Sequence, residues 1–550
     1  MIRFNEMCVH FCGRRELKFF HAGFLCFLFV CLSANVLMAQ TRTSPFSPPE
    51  ASDTIFIVDD SPGLDTGCTF RKGGPLVFDI YVTRFVGEVN TDGTLKNPDM
   101  LVTNKVVPES AILIFPAFDV DYDVSDRPSL IAEGVKPERD RIKFNGVEIN
   151  RVGAIEPYLI GKNNLWIQNE FIIPLRVPVQ IIKFPDKAPI GGVPTPRKNT
   201  ITIDIDQDNI GNIHYGTDQF WCTSVDWAAL TVEAMPPVIL IQGNGRPASF
   251  WDKRGFTQIL KDNGIPYDNS LVLPHNTVPV NGTLLNTEIP QAAKRMGAQN
   301  IQLVAHSKGG LDAREFLGSY YPALESRKEL KVHSLITLST PHKGSVGADY
   351  INVIKITQNA ILENPNDRTN FAYWFTTAQG YTEDQFFADF TLSTWWTSNF
   401  NRRNRLPSGI KYKSVAADAN ANDSTDADGN GTLERNEYLE MLNEAGLGGS
   451  PDLALIDWMM NIMYQGLGNF ATATAKFTGR YYFLPNYPRP IPIWELEETP
   501  TASFQENDMM VTIDSAKYTF EFIKQFDKNH ASVVDDEVAA EVIKHLKYAP

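Results

Sequence analysis

The residues best suited to chemistry lie in the stretch VAHSKGGLDAR, residues 304–314. Ser307 has Ala305 two positions before it and Gly309 two positions after it, and Gly310 follows. This spacing predicts a sharp strand-to-helix turn, because the backbone passes too close to itself there for larger side chains. The pattern therefore indicates a nucleophilic serine presented at a turn.

A serine hydroxyl is a weak nucleophile at neutral pH, so it needs a histidine to take its proton and a carboxylate to orient that histidine. On sheets of this type the three residues follow one another as serine, acid and histidine. Only His530 and His545 lie far downstream of the serine, and His545 falls on a terminal helical stretch. His530 in the loop FDKNHASVVDDEV is thus the candidate base, and Asp508 in QENDMMVTIDSA is the candidate acid. The alternatives are a loop-capping histidine and a solvated aspartate.

Two kinds of hydrophobic pattern divide the chain into the elements that must position these residues. Residues 52–230 show short alternating strands separated by turns rich in Gly, Pro, Asn and Asp, which predicts an antiparallel β-sandwich domain at 40–230. After residue 235, continuous apolar strands such as IQLVA alternate with helical stretches. This predicts an α/β domain at 231–550, with a mostly parallel sheet covered by helices on both faces. Ser307 follows the carboxyl end of one strand, where ligands bind in such sheets.

Six motifs together resemble the bacterial triacylglycerol lipases and related esterases of the α/β-hydrolase superfamily. They are VILIQGNG, VAHSKGG, ITLSTPHKGS, GIKYKSVAA, ENDMMVT and KNHASVV, and the resemblance covers about residues 236–545. It implies that Ser307 is the nucleophile, Asp508 the acid and His530 the base. It also suggests that His342 is structural, and His306 is expected to pack beside the turn.

An oxyanion formed on the attacked carbonyl needs preorganised backbone N–H groups. Lys308 can supply one, since it follows the nucleophile at a helix N-terminus. By position in the resembled family, Asn244 would supply the other, from the loop after the first strand of the sheet. That family usually has His-Gly at this loop, whereas this chain has Gln242-Gly243.

An acidic insertion, DSTDADGNGTLERNEYLEML, fits the EF-hand calcium loop over residues 426–437. Oxygen ligands alternate, a glycine makes the sharp turn, and the glutamate in twelfth place can bind with both oxygens. The predicted ligands are Asp426, Asp428, Asn430, the carbonyl of Thr432, and Glu437. A strand-like segment stands where the entering helix would be, so we expect a single structural Ca²⁺ site and no redox cofactor. The alternative is a solvated acidic surface loop.

A second insertion, residues 351–405, contains the aromatic clusters FAYWF, FFADF and TWWTSNF. Aromatic residues this dense are typical of a cap over an apolar pocket. Ordinary packing between helices is the competing interpretation.

The first 39 residues have the pattern of a secretory signal peptide: basic residues precede the apolar run AGFLCFLFVCLSANVLMA, and Ala39 offers a cleavage point. We therefore expect an exported protein that is secreted, periplasmic or on the cell surface; an uncleaved membrane anchor is the alternative. Beyond the leader only Cys68 and Cys222 remain, either as a disulfide or as two separate thiols.

The formal net charge of −15 argues against a nucleic-acid partner, because no basic stripe is available to neutralise phosphates. The leading expectation is a secreted serine hydrolase of carboxylic esters, with an ester or lipid substrate and transient contact with lipid surfaces. Two alternatives stay open. One is a surface glycan- or polymer-binding protein that uses the β-domain and has a secondary hydrolase domain, and the other is an amidase or thioesterase with the same triad.

Overall fold

A computed structural model of the protein describes most of the chain. The described residues are 44–64, 69–70, 74–118, 140–151, 159, 166–168, 175–205, 222–243, 246–350, 383–419, 467–482 and 491–549. The predicted leader, Cys68 and the loop 426–437 lie outside them. None of the described helices is long and apolar enough to cross a membrane.

Short antiparallel strands make up the region before residue 232. They are β1 (Ile55–Val58), β2 (Thr69–Phe70), β3 (Leu76–Val82), β4 (Ser110–Ile114), β5 (Pro116–Phe118), β6 (Arg141–Phe144), β7 (Val147–Glu148), β8 (Asn150–Arg151), β9 (Trp166–Gln168), β10 (Leu175–Pro178), β11 (Arg197–Asp204), β12 (Cys222–Val225) and β13 (Ala228–Thr231), with helix α1 (Pro98–Thr103) and a 3₁₀ turn (Val179–Ile181) between them.

These strands form antiparallel sheets in the orders β1-β13-β4-β10-β8, β3-β11-β6-β7 and β2-β12-β5-β9. Buried and more exposed side chains alternate along β3 and β11, as expected for strands with one face toward a core. Phe78 and Ile201 from one sheet and Leu113 and Val177 from another belong to the same buried cluster. The two sheets therefore share one apolar core.

The region after residue 237 contains a parallel sheet with helices. Its strands are β14 (Val238–Ile241), β15 (Tyr267–Asp268), β16 (Asn300–His306), β17 (Lys331–Leu338), β18 (Lys411–Asp418) and, after a two-stranded ribbon of β19 (Phe470–Tyr482) and β20 (Ile491–Pro500), β21 (Glu521–Asp527). The helices are α2 (Phe250–Lys253), α3 (Phe256–Asp262), α4 (Val278–Arg295), α5 (Lys308–Ser319), α6 (Tyr321–Ser326), α7 (Glu383–Phe390), α8 (Thr394–Arg403), α9 (Ile513–Lys517) and α10 (Asp536–Val542), with 3₁₀ turns at Ser532–Val534 and Ile543–His545.

The strand order is β15-β14-β16-β17-β18-β21, and every pairing in this sheet is parallel. Alternate residues of β14 belong to two different cores. Leu240 joins a cluster with residues of α3 and α10, whereas Ile241 joins a cluster with residues of α4 and α5. Helices therefore cover both faces, and the predicted parallel α/β sheet is confirmed.

One buried junction ties the antiparallel region to the start of β16. The Asp53 carboxylate accepts hydrogen bonds from the Arg84 guanidinium and from the backbone N–H groups of Gln299 and Asn300, the latter two at 2.8 and 3.0 Å. Both Arg84 and Asp53 are buried. The apolar cluster of the antiparallel region also continues into the sheet face covered by α3 and α10. The two regions are thus joined by a shared interior.

Candidate active site

Ser307 stands at a strained turn between β16 and α5. Its φ and ψ of 55° and −133° lie in a region that residues other than glycine rarely adopt. The Ser307 N–H donates to the Leu338 carbonyl at 2.9 Å. A Cβ at Gly309 would lie 2.5 Å from the Gln242 carbonyl oxygen, so only glycine fits there. The close backbone approach predicted from the spacing of small residues is confirmed.

The structure brings together the three residues predicted to act with one another. His530 Nε2 lies 2.8 Å from Ser307 Oγ, and His530 Nδ1 lies 2.9 Å from Asp508 Oδ2. A carboxylate can only accept, so Nδ1–H donates to Asp508 and Nε2 is left to receive the serine proton. The side chains of His530 and Asp508 are largely buried.

The acid loop fixes the orientation of the Asp508 carboxylate. Its second oxygen, Oδ1, accepts from the N–H groups of Met510 and Val511 at 3.0 and 2.7 Å. The Asp508 carbonyl accepts from the His530 N–H at 3.0 Å, so acid and base are also joined through the main chain. The preceding residue, Asn507, accepts from the N–H of Ala419 just after β18, which anchors the acid loop to the sheet.

The sequence assigns Lys308 a backbone role beside the nucleophile and does not show that its charged side chain is buried. Its side chain is buried, and Nζ donates to Asp312 Oδ1 and Oδ2 at 2.7 and 3.0 Å, while Asn281 Nδ2 donates to the same carboxylate. Burial lowers the pKa of Lys308 and raises the pKa of Asp312. The side chain thus points into the interface of α4 and α5, and the N–H at the start of α5 has no acceptor within its helix. Sequence reasoning missed this ion pair, for which the four-residue spacing was the available signal.

Gln242 stands where the resembled lipases have histidine, and it is fully buried. Its Nε2 donates to the Leu271 carbonyl, so the side chain anchors the start of the loop to the segment after β15. A Cβ on the next residue, Gly243, would lie 2.8 Å from the Ser307 Cβ. Asn244 lies outside the described residues, and its role as an oxyanion donor stays a prediction.

His342 lies in a buried polar cluster with Thr337 of β17 and Arg314 of α5, the helix that follows Ser307. It lies 3.0 Å from Thr337 Oγ1 and 3.2 Å from Arg314 Nη1, and burial lowers its pKa well below the usual range. Arg314 also donates to Asn401 Oδ1 at 2.8 Å, and its guanidinium lies 5.0 Å from the centre of the Phe400 ring. These contacts attach α8 to the helix that follows Ser307.

The described part of the aromatic insertion, residues 383–405, contains helices α7 and α8. The two neighbouring tryptophans of α8 differ: Trp395 is 60% exposed, whereas Trp396 stacks on Phe400 at 5.1 Å and packs against Val278 and Leu311. Packing between helices therefore accounts for Trp396 and leaves Trp395 on the surface. Residues 351–382 lie outside the described part of the chain.

The predicted calcium loop, residues 426–437, lies outside the described residues. Among the residues that the structure describes, no group of three or more His, Cys, Asp or Glu side chains could hold a metal ion.

Fold and site together define a class. A parallel sheet covered on both faces carries a serine on a strained turn, and an acid and a histidine from later loops complete a hydrogen-bonded chain with it. This is the α/β-hydrolase fold.

Part of the chain is similar in sequence to known proteins. A family model described as "Putative serine esterase (DUF676)" matches residues 266–361, which include Ser307. Triacylglycerol lipase 2 of Saccharomyces cerevisiae is 25% identical over 118 residues, which cover 20% of this chain and 35% of the yeast protein. The chain therefore spans about a third of the length of that relative.

Similar solved structures include two bacterial lipases. The mature form of the Bacillus licheniformis lipase BlEst2 is 19% identical, with a TM-score of 0.32, covering 56% of this chain and 91% of that one. The Staphylococcus hyicus lipase is 11% identical, with a TM-score of 0.28, covering 56% of this chain and 93% of that one.

Proposed function

We propose that this protein is a serine hydrolase of carboxylic esters of the lipase and esterase type. The observation that carries the proposal is the hydrogen-bonded chain from Ser307 through His530 to Asp508. Ser307 Oγ attacks the ester carbonyl while His530 Nε2 takes its proton, and Asp508 stabilises the imidazolium that forms. His530 then protonates the departing alcohol, which leaves an acyl group on Ser307.

Water completes the reaction by hydrolysing the acyl-enzyme: water is now the nucleophile, and Ser307 is the leaving group. His530 takes a proton from water, which attacks the acyl-enzyme, and the serine is released with the carboxylic acid product. In both steps the negative oxygen would be met by the N–H groups of Lys308 and Asn244. Each such donor is worth about 10²- to 10³-fold in turnover in related chemistry.

We further propose an acyl-chain substrate and export from the cell. Support for the substrate comes from the aromatic segment, whose Trp396 packs against Leu311 in the helix that follows Ser307. Support for export comes from the signal-peptide pattern of residues 1–39. The match to a yeast protein named a triacylglycerol lipase agrees with an ester or lipid substrate. Binding of a surface glycan or polymer by the antiparallel region stays a prediction.

The test is a series of p-nitrophenyl esters from acetate to palmitate, measured with the wild-type protein and with Ser307→Ala. We expect hydrolysis by the wild type and none above background by the variant. Matched p-nitroanilides and thioesters measured in parallel distinguish an esterase from an amidase or thioesterase. Ester hydrolysis that persists in Ser307→Ala would contradict the proposed nucleophile.

Replacing the exposed Trp395 by serine is expected to lower kcat/KM on long-chain esters while leaving acetate hydrolysis unchanged. The physical reason is that contact with an acyl chain contributes about 0.8 kcal/mol for each buried methylene. The matched variant Trp396→Ser removes a packed side chain, so it should lower the melting temperature and reduce activity on all chain lengths. Equal losses on short and long esters for Trp395→Ser would show that this residue does not contact the acyl chain.

We also propose that residues 426–437 bind one Ca²⁺ for stability alone. Support comes from the sequence of residues 426–437, which satisfies every fixed position of an EF-hand loop, with oxygen-bearing residues at the ligand positions and Gly431 at the sharp turn. Glu434 adds a further carboxylate to this short loop, and mutual repulsion among the acidic side chains opposes an ordered loop unless a cation neutralises it. The loop precedes the segment that carries Asp508 along the chain.

Removal of calcium is expected to lower the melting temperature, with activity falling as the structure loosens. A ligand that binds only the folded state stabilises it by about 2.7 kcal/mol at a hundredfold excess over Kd. Glu437→Gln should reproduce the melting temperature measured in chelator and abolish the response to added Ca²⁺, with Mg²⁺ as the control ion. A melting temperature that responds to neither chelator nor calcium would reduce this loop to acidic surface.

A further inference from the structure

His306, the last residue of β16, is buried directly beside the catalytic groups. Its Nε2 lies 2.8 Å from the main-chain carbonyl oxygen of His530. A carbonyl only accepts, so Nε2 carries the hydrogen and donates it. Burial lowers the pKa of His306 well below the usual range, so the ring is neutral and its Nδ1 is an unprotonated acceptor.

The other side of the same ring faces the turn after β14. A Cβ on Gly243 would lie 3.3 Å from His306 Nδ1. Within the described residues this nitrogen is buried and has no hydrogen-bond partner. A single neutral imidazole therefore donates to the loop of the base on one side and faces the turn at Gly243 on the other.

Packing fixes the orientation of this imidazole. Its ring centre lies 5.2 Å from that of Phe250 and 5.0 Å from that of His530. The side chain is 2% exposed, so it has little freedom to rotate. A shift of the His306 ring would shift the His530 backbone to which it is hydrogen-bonded. Such a shift would change the distance between His530 Nε2 and the Ser307 hydroxyl.

We propose that His306 is a positioning residue for the reaction: it donates to the His530 carbonyl and so sets the position of the base relative to Ser307. The proposal rests on the proposed esterase function. It assigns His306 a role in the rate of the chemical step rather than in substrate binding.

The test compares two replacements of nearly the same size. His306→Phe keeps the packed ring and removes the donor, whereas His306→Gln keeps a donor at the position of Nε2. We expect His306→Phe to lower kcat about 10- to 100-fold with KM nearly unchanged, since small misplacements of catalytic groups cost that much. The glutamine variant should recover most of the lost kcat.

A matched histidine serves as the control. His333 on β17 lies 3.0 Å from Asn300 Oδ1, at the end of the sheet opposite Ser307, so His333→Phe should leave kcat unchanged. Should His306→Phe fail to fold, His306→Asn replaces it, because its shorter amide cannot reach the His530 carbonyl, and it should show the same loss of kcat. Unchanged kcat in the donor-less variant, or equal losses in the glutamine and donor-less variants, would overturn the proposal.

A second readout separates this proposal from the esterase function itself. The rate of covalent labelling of Ser307 by a fluorophosphonate reports the reactivity of the nucleophile without a natural substrate. We expect labelling by the wild type, slower labelling by His306→Phe, and none by Ser307→Ala. A wild type that is labelled but hydrolyses no ester would contradict the esterase function while leaving the role of His306 testable, and equal labelling rates of wild type and His306→Phe would contradict that role.

Discussion

Replacing Ser307 by alanine should reduce ester turnover by about 10⁴- to 10⁶-fold, and His530→Ala should cost nearly as much. The two residues work as one unit, since the hydroxyl is reactive only while His530 Nε2, 2.8 Å away, can take its proton. The double variant should therefore be no slower than either single variant. The measurement is kcat/KM on one soluble ester, with folding checked by the melting temperature.

A matched serine provides the control for this experiment. Ser326 ends helix α6 on the surface, where its hydroxyl donates to the Ala323 carbonyl, and Ser326→Ala should retain full activity. Asp508→Asn should cost less than loss of the nucleophile, because the asparagine amide disturbs the tautomer of His530 but leaves the ring in place. If the fold-losses in kcat/KM of Ser307→Ala and His530→Ala multiplied in the variant carrying both replacements, the two residues would not act as one unit.

The sequence was most informative where chemistry depends on local backbone geometry. Ala305 and Gly309 indicate the turn at Ser307, because steric limits there act between residues close in the chain. The choice of Asp508 and His530 depended on chain order and on the resemblance to known lipases. Their distances to one another could not be read from the sequence, since they depend on how two loops after different strands are held.

Contacts between distant segments were beyond the reach of the sequence pattern. Gln242 replaces a histidine of the resembled family, and its hydrogen bond to the Leu271 carbonyl depends on the fold of another loop. The side chain of Lys308 is charged and follows the nucleophile, yet it is buried against Asp312. A pattern of single residues does not show which face of a short helix will be covered by α4.

The sequence also indicates two regions without showing how they are joined. The change from alternating to continuous strands near residue 230 is visible, because each pattern reflects how many faces of a strand are buried. It does not reveal that buried residues of the first region continue into the core under α3 and α10. Arg84 follows β3 in an apolar stretch, and its partner Asp53 lies 31 residues earlier.

Loss of this junction is expected to have the largest effect on stability. Asp53→Ala should lower the free energy of unfolding by about 3–5 kcal/mol, because it leaves the buried Arg84 charge without its carboxylate. It also removes the acceptor for the N–H groups of Gln299 and Asn300. The measurement is the midpoint of denaturation in urea, with a constant slope showing that the change is one of stability.

Turnover of the folded Asp53→Ala variant should remain close to that of the wild type. Asn300 begins β16 and Ser307 follows its last residue, so the junction and the nucleophile are about 23 Å apart at about 3.3 Å per strand residue. The matched control is Glu50→Ala. Glu50 lies only three residues before Asp53 and forms an exposed ion pair with Lys328, so breaking that pair should leave the midpoint unchanged.

The double variant Asp53→Leu with Arg84→Met decides how the junction stabilises the protein. If the cost of Asp53→Ala comes from an unpaired buried charge, removing both charges should restore much of the lost stability. If the double variant is as unstable as Asp53→Ala, the carboxylate matters mainly as an acceptor for the β16 backbone. A midpoint unchanged by Asp53→Ala would contradict both explanations, because it would mean that the junction adds nothing to the contact between the antiparallel region and the parallel sheet.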